Sequence, residues 1–217
     1  MPTPLFLTLL PEMQDRVLLA GAEALMVKGL HRATLGDIAE RAKLPAGLID
    51  NYFEDMADLI ALVLGRGLQY FNQTYIEVGD LQAPCWDRVA RLFELAAEKG
   101  SQLGPFVNVY FNIGGSGLPD LIKATYDRYE GRAAMFYLNL ISTGIKEGSV
   151  RNDLDPVVIA YHIHDLTRLM MARRVHALYQ ARTATYFADY PQTDDGDRRL
   201  VRHLIAELKA LYAPRGQ

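Results

Sequence analysis

Hydrophobic positions along this 217-residue chain recur every three or four residues in the long intervals between its prolines. That is the period of a helix with one buried face. Leu18, Ala22, Leu25 and Met26 form one stripe. Leu59, Ile60, Val63, Leu64, Leu68, Phe71 and Tyr75 form another. Ile122, Tyr126, Tyr129, Ala133, Phe136 and Leu140 continue the pattern, as do Ile159, Ile163, Leu166 and Met170, and finally Val201, Leu204, Leu208 and Leu211. Helix-start signals sit where the stripes begin: Thr34 with Asp37 three on, Asp55 with Asp58 three on, and Asp155-Pro156. Only Phe106–Ile113 (FVNVYFNI) reads as a strand, and one strand makes no sheet. The pattern predicts an all-α protein of about nine helices.

Helix length changes near residue 53, from short helices to long ones. This sets the expected domains at 12–54 and 55–217. Within the first, Thr34–Phe53 (TLGDIAERAKLPAGLIDNYF) carries the densest information. Thr34 can cap a short helix to about Ala42, with Ile38 and Ala39 inward. Lys43-Leu44-Pro45 makes a tight turn, a second short helix opens at Ala46, and a long helix starts at Asp55. Two short helices on a buttressing third, Glu12–Lys28, describe a helix-turn-helix whose second helix can enter a major groove.

Across Arg16–Leu64 the sequence resembles the tetracycline-repressor (TetR) family of bacterial transcription regulators. The resemblance is carried by Arg16, Ala22-x-x-Leu25, Gly29, Ala33-Thr34, Ile38-Ala39, Ala42, Gly47, Ile49, Tyr52-Phe53 and Leu59. The string Gly47-Leu48-Ile49-x-x-Tyr52-Phe53 is most similar to the choline-sensing, BetI-like branch. Farther on, Glu147-Gly148-x-x-Arg151-x-Asp153-x-Asp155-Pro156 resembles a turn common in the family. The resemblance implies a cytoplasmic homodimer with an N-terminal DNA-binding domain and a C-terminal domain for a small-molecule effector. It also implies repression at a palindromic double-stranded operator. In that reading Asn51 pairs with adenine, Tyr52 reaches a phosphate oxygen, and Leu48 and Ala46 touch a thymine methyl beside Gly47. Thr34 and Lys43 hold backbone phosphates from the flanks.

Charge modifies this picture. The whole chain carries −3, but residues 12–64 hold five basic against nine acidic side chains, a net of −4. Phosphate neutralisation, the main source of non-specific DNA affinity, asks for the opposite sign. The family's lysine at the start of the fourth helix is Met56 here, a common phosphate-contacting position is Asp50, and the usual serine cap before the recognition helix is Pro45. These departures support an alternative: a TetR fold that has lost operator binding and serves as a small-molecule-binding or protein-interaction module.

Beyond residue 80, aromatic and polar residues mix as a small-molecule cavity requires. Tyr110, Tyr137, Asn139 and His162 are the expected ligand contacts. His162-x-His164 is no metal pair, because residues two apart on a helix point about 200° from each other, so neither a metal nor a cofactor is expected. Cys85, the single cysteine, excludes an internal disulfide and reads as a buried thiol. Ile113-Gly-Gly-Ser-Gly-Leu-Pro119 lacks the lysine of a phosphate loop and reads as a mobile connection. No nucleophile stands in an enzyme motif, so no enzyme activity is expected. No run nears the roughly 20 apolar residues of a membrane span, and the first ten residues lack the basic start of a signal peptide. The runs Asp155–Tyr186 and Asp197–Tyr212 are apolar on more than one face, which asks for core on one side and a second copy on the other.

Overall fold

The computed structural model describes residues 2–214, apart from the side chain of Ala46, an expected DNA contact that therefore lies outside the described residues. The helices are α1 (Pro4–Leu7), α2 (Pro11–Lys28), α3 (Leu35–Ala42), α4 (Ala46–Ile49), α5 (Met56–Asp80) and α6 (Cys85–Gln102). They continue as α7 (Gly104–Asn112), α8 (Pro119–Thr125), α9 (Gly131–Lys146), α10 (Pro156–Ala172), α11 (Ala177–Tyr186) and α12 (Asp194–Tyr212). Among the described residues there is no strand, and FVNVYFNI lies in α7 and its 3₁₀ extension Ile113–Gly115. Two compact units divide the chain. One holds residues up to Gln69 with Pro105–Thr125, the other Tyr70–Gly104 with Tyr126–Gln217.

In the first unit α3 packs on α2 and α4 packs on α3. Val17, Leu18, Ala22 and Leu25 of α2 are buried with Ile38, Ala39 and Ala42 of α3 and Ile49 of α4. The start of α3 is fixed by reciprocal bonds. The Asp37 amide donates to Thr34 Oγ1 (3.3 Å), and the Thr34 amide donates to Asp37 Oδ2 (2.9 Å). Lys28 Nζ adds a 2.6 Å contact to the same carboxylate. Asp55 caps the following helix rather than beginning it, accepting from the Asp58 amide at 2.9 Å. The Gly-rich segment is a turn with a tether, because His31 Nε2 donates to the Gly115 carbonyl at 2.7 Å.

In the second unit α10 is the central helix, packed against α6 and α9, while α12 lies on α6. Ile159, Ile163, Thr167 and Met170 face Leu92, Phe93, Tyr137 and Leu140 in one core. Gly100 permits the close approach of α6 to α10, because a Cβ there would run into the Met171 carbonyl. Trp86 Nε1 donates to the Ser149 carbonyl at 2.8 Å. Cys85 beside it is buried, and burial pushes its thiol up to about 11.

The expectation of about nine helices falls short in three places. The four-residue α1 precedes the head. The continuous stripe expected over Ile122–Leu140 is broken by a π turn, Tyr126–Glu130. That turn slips the phase, so Tyr126 is 65% exposed and Tyr137, not Phe136, is fully buried. The run Asp155–Tyr186 is divided into α10 and α11 at Arg173. This residue is fully buried against Asp197, also donates to the Tyr190 carbonyl at 2.6 Å, and so pins both ends of the α11 excursion together.

Two stability outcomes are expected. In urea titrations Gly100→Ala should lose about 2 kcal/mol or more through forced backbone displacement, whereas Gly65→Ala, with open space around it in α5, should gain about 0.5–1 kcal/mol. Equal effects would contradict the α6–α10 packing. The bond from Lys28, with those from Thr34, lowers the Asp37 carboxyl from 3.8 to about 2. Its contribution to stability is thus complete above the unfolded value and lost as pH falls toward about 2. A carboxyl carbon titration of Lys28→Met should return Asp37 toward its ordinary value; an unchanged midpoint would show that Lys28 is not the cause.

Candidate nucleic-acid interface

The turn between α3 and α4 is closed at Lys43, whose φ of 54° is left-handed. A lysine there carries a conformational cost that glycine would avoid. The turn is held from three sides. The Leu44 amide donates to the Ala39 carbonyl (2.9 Å), the Lys43 amide to Glu40 (3.1 Å), and Arg16 reaches across from α2 to the carbonyls of Ala42 and Lys43. Arg16 therefore acts as a brace of the turn. Its guanidinium occupies the orphan carbonyls at the end of α3.

Helix α4 is four residues long, and its cap, Pro45, offers no side-chain acceptor to the first turn. Such a helix does not persist alone, because nucleation is unfavourable and few bonds repay it. Here its inner edge is buried: Ile49 is 0% exposed, Tyr52 4% and Phe53 1%. Tyr52, expected to reach a phosphate oxygen, is not exposed. Tyr52 and Phe53 are both inside, because Phe6 of α1 covers them with ring centroids at 5.9 Å and 5.0 Å. The same segment is stitched to the helix end. The Thr3 amide donates to the Tyr52 carbonyl at 3.1 Å, and Thr3 Oγ1 donates to the Asn51 carbonyl at 2.7 Å. The periodicity of the long helices does not reveal this role for the first ten residues. The available signal was Thr3-Pro4, a capping residue followed by proline at the first helical position.

The outer edge is what remains. Thr34, Lys43, Gly47, Asp50 and Asn51 are exposed, and Leu48 is half-buried. Asn51 Nδ2 donates to the Gly47 carbonyl at 2.9 Å, so this amide must swing away before it can pair with a base edge. Met56 is half-buried at the first position of α5, and Asp50 is exposed where α4 ends. Four cations are engaged internally: Arg16 on the turn, Lys28 on Asp37, Arg32 Nε on the Lys28 carbonyl at 3.2 Å, and Arg41 with Glu23 at 3.9 Å.

The expected ligand contacts are dispersed. Tyr110 is a buried residue of the first unit, while Tyr137, Asn139 and His162 belong to the second. Asn139 is exposed. His162 Nδ1 meets the Tyr212 hydroxyl at 2.8 Å, and the imidazole stacked on Tyr137 is that of His164, at 4.5 Å. Tyr137 instead joins a buried aromatic group. Tyr75 and Tyr129 share a hydroxyl contact of 3.0 Å, and Tyr75 stacks on Phe136 at 4.7 Å. Burial raises the Tyr137 hydroxyl well above its ordinary range, raises Tyr75 and lowers His164, so the group is neutral near pH 7. Among the described residues, no three histidines, cysteines or carboxylates converge as metal ligands.

Residues 17–63 match the sequence profile of bacterial regulatory proteins of the tetR family. No curated protein matches the chain. Solved structures do, along nearly its whole length. The ketosteroid transcriptional regulator KstR2 of Mycobacterium tuberculosis is 19% identical, with a TM-score of 0.69 over 96% of this chain and 98% of that one. A TetR family regulator from Chloroflexus aurantiacus is 18% identical, with a TM-score of 0.71 over 99% and 100%. FadR of Bacillus subtilis, solved with stearoyl-CoA, is 14% identical, with a TM-score of 0.66 over 90% and 97%. At these identities the structural likeness speaks for the fold, and no helix among the described residues is long and apolar enough to cross a membrane. The helix-turn-helix segment 17–63 is thus similar to the tetR family of bacterial regulatory proteins, and the fold of the chain is shared end to end with solved regulators of that family.

Proposed function

We propose that the chain is a homodimeric, effector-responsive transcription regulator, acting as a cytoplasmic repressor at a palindromic operator. The observation that carries the reading is the outer edge of α4. A helix too short to stand alone is locked by its inner residues, so Gly47, Leu48 and Asn51 face outward beside Lys43 and the Thr34 cap of α3. Asn51 reads an adenine edge, Lys43 and Thr34 hold phosphates, and Leu48 meets a thymine methyl. Tyr52, closed under Phe6, supports this edge and does not touch a phosphate. The functional division follows 12–54 for DNA and 55–217 for effector and dimer.

Dimerisation is supported by the outer faces of α10 and α12. Val157, Val158 and Tyr161 are 55%, 60% and 71% exposed on the helix whose other face forms the core, and Leu211 is 51% exposed on α12. Pairing these faces in a two-fold dimer removes apolar surface from water, and an operator with half-sites in successive major grooves asks for two recognition helices about 34 Å apart. The neutral aromatic group around Tyr137 supports an effector site in the second unit, and the acyl-CoA bound by FadR of Bacillus subtilis shows what one protein of this fold accommodates. An effector acts only through its different affinity for the two dimer geometries.

Operator binding is tested by fluorescence anisotropy with upstream-derived and random duplexes at two salt concentrations. Salt-sensitive binding that prefers the upstream duplex is expected. No binding to either duplex would favour the alternative of a binding module without an operator. Asp50→Tyr with Met56→Lys should tighten non-specific binding and steepen the salt slope by about 2 for a dimer, one new phosphate contact per protomer. An unchanged slope would mean that this face never approaches DNA. In sedimentation equilibrium Val158→Asp with Tyr161→Asp should yield folded monomers that no longer hold operator; a persistent dimer would move the interface elsewhere.

A further inference from the structure

A groove of about 390 Å³ lies between the last turn of α2, the Gly29–Arg32 loop and α7, all within the first unit. Its floor is apolar, with Leu25 and Val109 buried and Leu30 half-buried. Its polar lining is Lys28, His31, Arg32, Asn108 and Asn112, and among the described residues no carboxylate lines it. The acidity of the surrounding head makes this unusual, since residues 12–64 carry −4. The 360 Å³ groove between α5 and α8 in the same unit is lined by Asp58 and Asp120.

Cations in the last turn of a helix are explained by the helix dipole alone, and Lys28 fits that account. His31 and Arg32 lie beyond the helix end, and the asparagines come from a different helix. Each group is also held in place. His31 Nε2 donates to the Gly115 carbonyl, which orients the ring at the rim of the groove. Arg32 Nε donates to the Lys28 carbonyl, leaving both terminal nitrogens of the guanidinium. Asn112 Nδ2 donates to the Asn108 carbonyl at 2.8 Å and to its Oδ1 at 2.9 Å, which fixes the amide pair.

We propose that this groove binds a small organic phosphate, with the phosphate among Lys28, His31 and Arg32 and the organic part on the apolar floor. Lys28 shares its charge with Asp37, and the donors of Lys28 and Arg32 together suit the several acceptor oxygens of a phosphate better than the two of a carboxylate. The volume is in the range of small-ligand pockets. The proposal uses neither the outer edge of α4 nor the aromatic group around Tyr137, so it does not rest on either reading.

The test is isothermal titration of the full-length protein, without DNA, using phenyl phosphate, inorganic phosphate and phenol as probes. The expected result is one phenyl phosphate per chain, bound more tightly than inorganic phosphate, with no heat from phenol. Arg32→Gln and Asn112→Asp, both at exposed positions, should each weaken phenyl phosphate about tenfold or more. Asp120→Asn in the neighbouring groove should leave affinity unchanged. Binding that survives both groove substitutions, binding of phenol equal to that of phenyl phosphate, or no binding at about 10 mM would overturn the proposal.

Discussion

The closure of Phe6 over Tyr52 and Phe53 is the contact on which the DNA-facing surface depends. Helix α4 has four residues, a proline cap without an acceptor, and a following turn whose few amides bond only within it. Its orientation is therefore set by what its inner edge buries. Full burial of an aromatic or large aliphatic side chain contributes about 1.5–3 kcal/mol, and three such residues, Ile49, Tyr52 and Phe53, lie within five positions. Thr3 then ties the chain start to the carbonyls that α4 leaves open. The outer edge is rigid because the inner edge has no freedom left.

Electrostatics in the head follow the same economy. Its few cations are spent on structure: Arg16 satisfies carbonyls at the end of α3, and Lys28 stabilises the acidic cap at its start. Little remains for phosphate around α4, and at the Gly29–Arg32 loop the terminal guanidinium nitrogens of Arg32 stay open. In the proposed reading such a head binds nucleic acid through shape and a few placed groups, with a weaker salt dependence than a basic field would give. The second unit differs in kind. Its buried polar groups are the neutral tyrosines around Tyr137 and the Arg173–Asp197 ion pair, which fixes the root of the α11 excursion. Removing one partner of that pair would strand a buried charge.

Helix periodicity made the fold legible, and where it misled, the reason is local. The stripes through α2, α5, α10 and α12 are buried much as their spacing requires, except Met26 and Leu211 at their ends, which are exposed, and Thr34 with Asp37 forms the reciprocal cap that its sequence announces. The π turn at Tyr126–Glu130 carries no sequence mark, and one extra residue per turn is enough to exchange Phe136 for Tyr137 in the core. The burial of Tyr52 could not be read from its own neighbourhood either, since the ring that covers it stands 46 positions earlier. The ligand contacts were chosen by residue type. Type alone does not separate His162, held by Tyr212, from His164, stacked on Tyr137.

The central claim is that the outer edge of α4, fixed from within, is the surface that meets DNA. Hydrogen exchange of the full-length protein with and without an upstream-derived duplex tests it most directly. The account predicts slowed exchange at the start of α3 and across Gly47–Asn51 when duplex is bound, with amides of α10 and α12 unaffected. Bound duplex that protects another surface and leaves Gly47–Asn51 unchanged would contradict it.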